Sequence, residues 1–148
     1  MVHALEEIHR LLKPAGRLID IHPAPESSPI EIHQGERIDL AGDLSVPQWC
    51  TDYQHADIAL AETARRGLFA VERESLFDSI SYYDSAAELR AEQTEAINKY
   101  ARDAESADEQ KPYVEAVAAR ADELMQAAAS GAQLTLRERV HISRLRPT

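Results

Sequence analysis

The residues of this chain best suited to chemistry are His22, at the end of an apolar run, and two aromatic groups, Tyr82 with Tyr83 and Trp49 with Tyr53 and His55. An imidazole changes charge near neutral pH and works as base, acid or ligand. His22 falls at the carboxyl end of a predicted strand, where open α/β sheets bind their ligands, and Pro23 holds the backbone behind it. It is therefore the leading substrate-side residue; the plainer alternative is a loop histidine hydrogen-bonded to its surroundings. Tyr82 and Tyr83 could stack on a planar substrate or simply pack, with their hydroxyls satisfied locally. Trp49, Tyr53 and His55 lie near a helix start, where they close a pocket or form a local hydrophobic staple.

Six histidines raise the question of a metal. Asp20 with His22, and Glu31 with His33, are two residues apart and share a strand face. No H-x-x-x-H or Cys-His spacing accompanies them, so the sequence by itself assigns no metal site. Ser27 and Ser28 sit in a proline loop without a G-x-S-x-G elbow, which leaves serine catalysis unsupported. The acidic run Asp103 to Glu109 lacks the central glycine and closing glutamate of a calcium loop. No residue is assigned a catalytic role.

The elements that must position these groups follow from periodicity. Leu5, Ile8, Leu11 and Leu12 form the stripe of a first helix, which Pro14 and Gly16 end. Leu18 to Ile21 reads as a buried strand, and a helix leading straight into such a strand signals a layered α/β fold. The run His22 to Pro29 carries three prolines and must be a loop. Ile30 to His33 and Ile38 to Leu40 alternate around Gln34-Gly35-Glu36 as a β-hairpin. Thr51 or Asp52 caps a helix to about Arg66, with Tyr53, Ala56, Leu60 and Ala64 inward and Gly67 as terminator.

Phe69 to Tyr83 reads as one long bent strand at or near a sheet edge, its alternation slipping near Glu74. Ser85 and Glu88 make a capping box that starts a long helix at Ala86. Asp103 to Lys111 reads as a charged loop, after which Pro112 opens a helix with Val114, Val117, Ala121, Leu124 and Met125 inward. That pair forms a helical hairpin ending near Gly131. Leu134 to Leu145 is the last strand, with Leu134, Leu136, Val140 and Ile142 on one face and Thr135, Arg137, Arg139, His141 and Ser143 on the other.

Composition narrows the partners. The 148 residues suit a single domain spanning 1–148, and 26 acidic against 16 basic side chains give a net charge of −10. A surface of that sign repels nucleic acid and anionic lipid. No run approaches the roughly 20 apolar residues of a bilayer span, and the N-terminus lacks the unbroken apolar stretch of a signal peptide. Cys50 is the one cysteine, which excludes an internal disulfide and fits a reducing, cytoplasmic location.

The opening run, Glu7-Ile8-His9-Arg10-Leu11-Leu12-Lys13-Pro14-Ala15-Gly16 followed by Arg17 to Ile21, resembles the E-I-x-R-x-L-K-P-G-G helix and next strand of class I S-adenosylmethionine-dependent methyltransferases. Gly67-Leu68-Phe69, the stretch Tyr82-Tyr83-Asp84-Ser85 and the closing Leu136-Arg137-Glu138-Arg139-Val140 resemble later elements of the same group. The resemblance implies the C-terminal half of that α/β fold: a partial Rossmann-like sheet, mixed parallel and antiparallel, whose strands correspond to 5, 6 and 7 of the order 3-2-1-4-5-7-6, strand 7 being antiparallel. The β-hairpin and the helical hairpin would be additions to it.

In that family a glycine-rich turn after strand 1 and an acidic residue ending strand 2 build the cofactor site. Here Gly16, Gly35, Gly42, Gly67 and Gly131 are scattered singly, and no G-x-G cluster lets the backbone approach a nucleotide. The isolated chain is thus expected to hold no cofactor, binding S-adenosylmethionine only if the missing half is supplied, and to be inactive alone. Met1 could be an internal start, a natural truncation or the start of a shorter paralogue. Two functions remain open: half of a split or truncated methyltransferase that needs a separate N-terminal half, or a non-catalytic association module. Loss of strands 1 to 4 would expose an edge of Leu18 to Ile21, which a homodimer or the helical hairpin could cover.

Overall fold

The computed structural model describes residues 1–44, 46–101 and 103–148. Its elements are α1 (Val2–Leu11), β1 (Leu18–Pro23), β2 (Pro29–Gln34), β3 (Arg37–Asp43), α2 (Pro47–Arg65), β4 (Phe69–Tyr83), α3 (Ala86–Tyr100), α4 (Ala104–Ala127) and β5 (Gln133–Pro147). Strand pairing is open and antiparallel, in the order β1-β5-β2-β3, with β4 also paired to β5. The α/β class expected from the sequence is present. The mixed parallel and antiparallel sheet expected from the resemblance is not found: the pairings among the described residues are antiparallel, and β5 also takes β2 as a neighbour, which the order 5-7-6 does not contain. Among the described residues no helix is long and apolar enough to cross a membrane.

The chain divides into two compact units, residues 1–26, 47–78 and 139–148 in the first and 27–46 and 79–138 in the second. In the first unit, α1 packs on α2 and α2 on β1. Leu5, Ala59, Leu60, Phe69 and Leu145 form its core, flanked by Val2, Leu12, Leu18 and Leu68. The inward stripe of α1 is therefore Val2, Leu5, His9 and Leu12, with the His9 ring set edge-on to Phe69. Ile8 and Leu11 of the predicted stripe face out, since contact with α2 selects the neighbouring row of the helix surface. At Gly16 a Cβ would lie 2.9 Å from the Lys13 carbonyl oxygen, so only glycine lets the chain turn so sharply into β1. Gly67, with φ of +71°, ends α2 while its N–H donates to the Ala64 carbonyl.

The register of β1 on β5 decides which side chains meet in this unit. Leu18 pairs with Leu145, Asp20 with Ser143, Ile21 with Ile142 and His22 with His141. Leu18 and Leu145 reach the core, which places Asp20, His22, His141 and Ser143 on the same face by strand alternation. The opposite face is open: Ile19 and Ile21 are 50% and 59% exposed. The strand expected to be buried is buried on one side only. Ile142, expected inward, shares the open face with its partner Ile21, and Ser143 is buried in its place.

In the second unit, β2 and β3 form the expected hairpin around Gly35, and β2 pairs with the first half of β5. Helix α4 packs on α3, β2 and β3. The buried set includes Ile30, Ile32, Leu89, Ile97, Val114, Ala118, Ala121, Leu134 and Leu136. The Ser85 hydroxyl accepts from the Glu88 N–H and the Glu88 carboxylate accepts from the Asp84 N–H, so the capping residues act as the sequence implies.

Several element boundaries differ from the sequence reading, which made His22 to Pro29 a loop: His22 and Pro23 belong to β1, paired with His141 and Val140, and Pro29 opens β2. Asp103 to Lys111 is not a loop: Asp103 caps α4 by accepting from the Ser106 N–H, and the helix runs from Ala104 through Pro112. The cap supplies the start signal that the charge run obscures. Helix α2 likewise begins at Pro47, a turn before Thr51. Pro suits a first helical position.

Candidate functional site

The first unit brings together three side chains that are far apart in sequence. His22 comes from β1, His141 lies directly across from it on β5, and Asp57 reaches the pair from α2, which Ala56, Ala59 and Leu60 seat by burial. His22 Nε2 lies 3.0 Å from Asp57 Oδ1, and His141 Nδ1 lies 3.5 Å from the same oxygen. The two imidazoles meet edge to face, their centroids 5.4 Å apart. One donor atom from each of the three residues lies within 4.8 Å of the other two.

Each ring is also held on its far side. Asp20 Oδ2 lies 2.6 Å from His22 Nδ1, and Ser143 Oγ lies 3.3 Å from His141 Nε2. Asp20 and Ser143 are themselves the next cross-strand pair on that face. The imidazole of His22 is only 10% exposed, whereas the Asp57 carboxylate that it meets is 42% exposed and so reaches solvent. A neutral imidazole donates through one nitrogen and offers a lone pair at the other. The arrangement leaves one nitrogen of each ring directed at Asp57, and can therefore move a proton or hold a cation.

A cavity of about 500 Å³ opens beside the cluster, lined among others by Glu26, Asp57, Glu74, Ser75, Leu76 and His141. Its three carboxylic residues favour a cationic occupant or a polar one that donates hydrogen bonds. Within the same unit, Trp49 and Tyr53 lie half-buried on the first turns of α2 and are not part of that lining. His55 is exposed.

The tyrosine pair belongs to the second unit, and adjacent positions in β4 send the two rings different ways. Tyr83 is 5% exposed, donates its hydroxyl to Glu92 at 3.1 Å and accepts from the Gln93 amide at 3.1 Å. Burial pushes its phenol up to about 12; Gln93 opposes the shift and the Glu92 carboxylate adds to it. Burial, with Glu92 nearby, also raises the Glu138 carboxyl. Tyr82 is exposed and lines a cavity of about 280 Å³ with Glu31, His33, Ile38, Ile80 and Arg137 among its walls. There Arg137 donates to Glu31 at 2.7 Å and His33 sits 3.1 Å away, so the Arg137 hydrogen bond leads in holding the Glu31 carboxyl below its ordinary range despite burial.

His22 is thus the one sequence candidate that the fold joins to other chemistry-bearing groups in this cluster. Asp57 and His141 were not legible as its partners, since only the β1–β5 register and the rotation of α2 bring positions 22, 57 and 141 together. The available signal was that His141 and Ser143 alternate on one strand face, as do Asp20 and His22. No family model, curated protein or solved structure matches the chain.

Proposed function

We propose that this chain supplies the acceptor-side half of a methyltransferase-like protein and gains an S-adenosylmethionine site only when a separate donor half completes it. One observation carries the reading: β5 is paired with both β1 and β4 and runs against its neighbours, the order and direction of strands 5, 7 and 6 in the class I fold. Ion pairs support the opposed direction of β4, since Glu72 meets Arg144 while Asp78 meets Arg139. β1 has β5 as its one strand neighbour among the described residues, which leaves its other edge where strand 4 would join.

In this reading the cluster at the carboxyl end of β1 handles the methyl acceptor. Methyl transfer to an oxygen or nitrogen requires that atom to lose a proton, and His22, oriented by Asp20, offers a place for it. The DNA preceding the Met1 codon, or a neighbouring gene, should encode a glycine-rich turn after a strand and an acidic residue ending the next. Co-expression of that half should give a stable complex, and failure of the two to associate would count against the reading.

A second reading, a non-catalytic module that associates with a copy of itself, is favoured by the open face of β1 and β5. Ile19, Ile21 and Ile142 line it, and a cavity of about 310 Å³ there is walled by Ile19, Arg73, Ser75, Ile142 and Arg144. Apolar side chains gathered on an open sheet face mark an interaction surface.

A further inference from the structure

We propose that His22 Nε2, His141 Nδ1 and a carboxylate oxygen of Asp57 bind one divalent transition-metal ion of the zinc class, leaving a coordination position open to the adjoining cavity. The inference does not depend on the methyltransferase reading, and it replaces the base role given to His22 there, since a metal on Nε2 with Nδ1 held by Asp20 leaves the ring no lone pair for a proton. It stands on three features of the first unit.

Two of the three donor separations are those of a coordination shell. Zinc bonds of about 2.0–2.1 Å to nitrogen and oxygen, directed tetrahedrally, put neighbouring donors about 3.3 Å apart. The separations of 3.0 Å and 3.5 Å from Asp57 Oδ1 to the two imidazoles bracket that value. All three donors lie within 4.8 Å of one another, so side-chain adjustment alone closes the set around an ion.

The far nitrogen of each ring is already engaged. A ligating histidine characteristically gives its other ring nitrogen to a carboxylate or another polar partner, which fixes the ring and raises its basicity. Asp20 does this for His22 at 2.6 Å, and the Ser143 hydroxyl faces His141 at 3.3 Å. The supporting pair repeats the ligand pair one step along the same β1–β5 ladder, so a single register builds both shells.

The ligand types select the ion. Two imidazoles and one carboxylate suit zinc and its first-row neighbours, whereas magnesium and calcium prefer oxygen alone. Three protein ligands leave a position for water or a substrate oxygen, the pattern of reactive rather than purely structural zinc sites. Glu26 and Glu74 in the cavity wall add negative charge that attracts the cation.

The test uses the whole chain, without an affinity tag and freed of metal by chelator, titrated with Zn²⁺ by calorimetry and with Co²⁺ by visible absorption. The expected result is one saturable ion per chain, with Co²⁺ bands of four-coordinate intensity. His141→Gln and Asp57→Asn should abolish saturable binding, and Asp20→Asn should weaken it by about 10- to 100-fold. His33→Gln, in the second unit, should leave it unchanged. Circular dichroism of each variant separates a lost ligand from a lost fold; variants that do not fold are replaced by His22→Asn. Absence of saturable Zn²⁺ binding by the folded wild-type chain, or equal binding by folded His141→Gln and Asp57→Asn, would overturn the site. S-adenosylmethionine plays no part in the readout, so this result stands apart from the methyltransferase reading.

Discussion

His22 and His141 are direct cross-strand partners on β1 and β5, with their rings edge to face and both turned toward Asp57. Cross-strand pairing at a fixed register makes their approach a property of the backbone ladder. A one-residue slip of β1 would send Leu18, Asp20 and His22 to the open face and turn Ile19 and Ile21 inward.

Helix α4 starts at Ala104 because Asp103 satisfies a free N–H of its first turn. Asp103→Ala should cost about 1 kcal/mol of stability in urea unfolding. A neutral result would mean that residues 104–111 contribute no helix, as a start at Pro112 requires.

Glu31 should make the second unit sensitive to acid. Its folded carboxyl titrates below its ordinary value, chiefly through the Arg137 hydrogen bond. The stabilisation it brings is therefore complete above the unfolded carboxyl range and is lost as pH falls through the lower folded value. Arg137→Met should cost about 1–2 kcal/mol near pH 6, discounted for the solvent-facing side of the guanidinium, and clearly less at pH 3. Urea midpoints across that range check the sign.

Glu138 should behave in the opposite sense. Burial and Glu92 raise its folded pKa, so the charged form is penalised and stability falls as pH rises from the ordinary carboxyl range through the folded value. Glu138→Gln should stabilise the protein at pH 7 and change little at pH 4. Thermal melts at the two pH values test this, and equal effects at both would refute it.

Much of the second unit was legible because its signals are local. The turn at Gly35 and the Ser85 cap follow from spacing and capping chemistry within a few residues. The one local signal misread there was Asp103, masked by the acidic run it begins. The first unit was harder: whether Ile8 or His9 of α1 faces inward, and whether Ile142 or Ser143 of β5 does, is set by partners many residues away. The candidate site shares that dependence, since Asp57 resembles any surface helix carboxylate until α2 is laid over β1.

The open face of β1 and β5 should carry a homodimer if the association reading holds. Sedimentation at high micromolar concentration should then show two copies, and Ile21→Lys should yield monomer, because a charge placed there opposes burial. A wild-type monomer under those conditions would remove this reading.

The central proposal is that this chain supplies an acceptor-side half and needs a separate half to gain a donor site. Calorimetric titration with S-adenosylmethionine, first on this chain alone and then with a donor half supplied, tests it most directly. The account predicts no saturable heat from the chain alone and saturable binding once the donor half is added. Tight one-to-one binding by the isolated chain would contradict it.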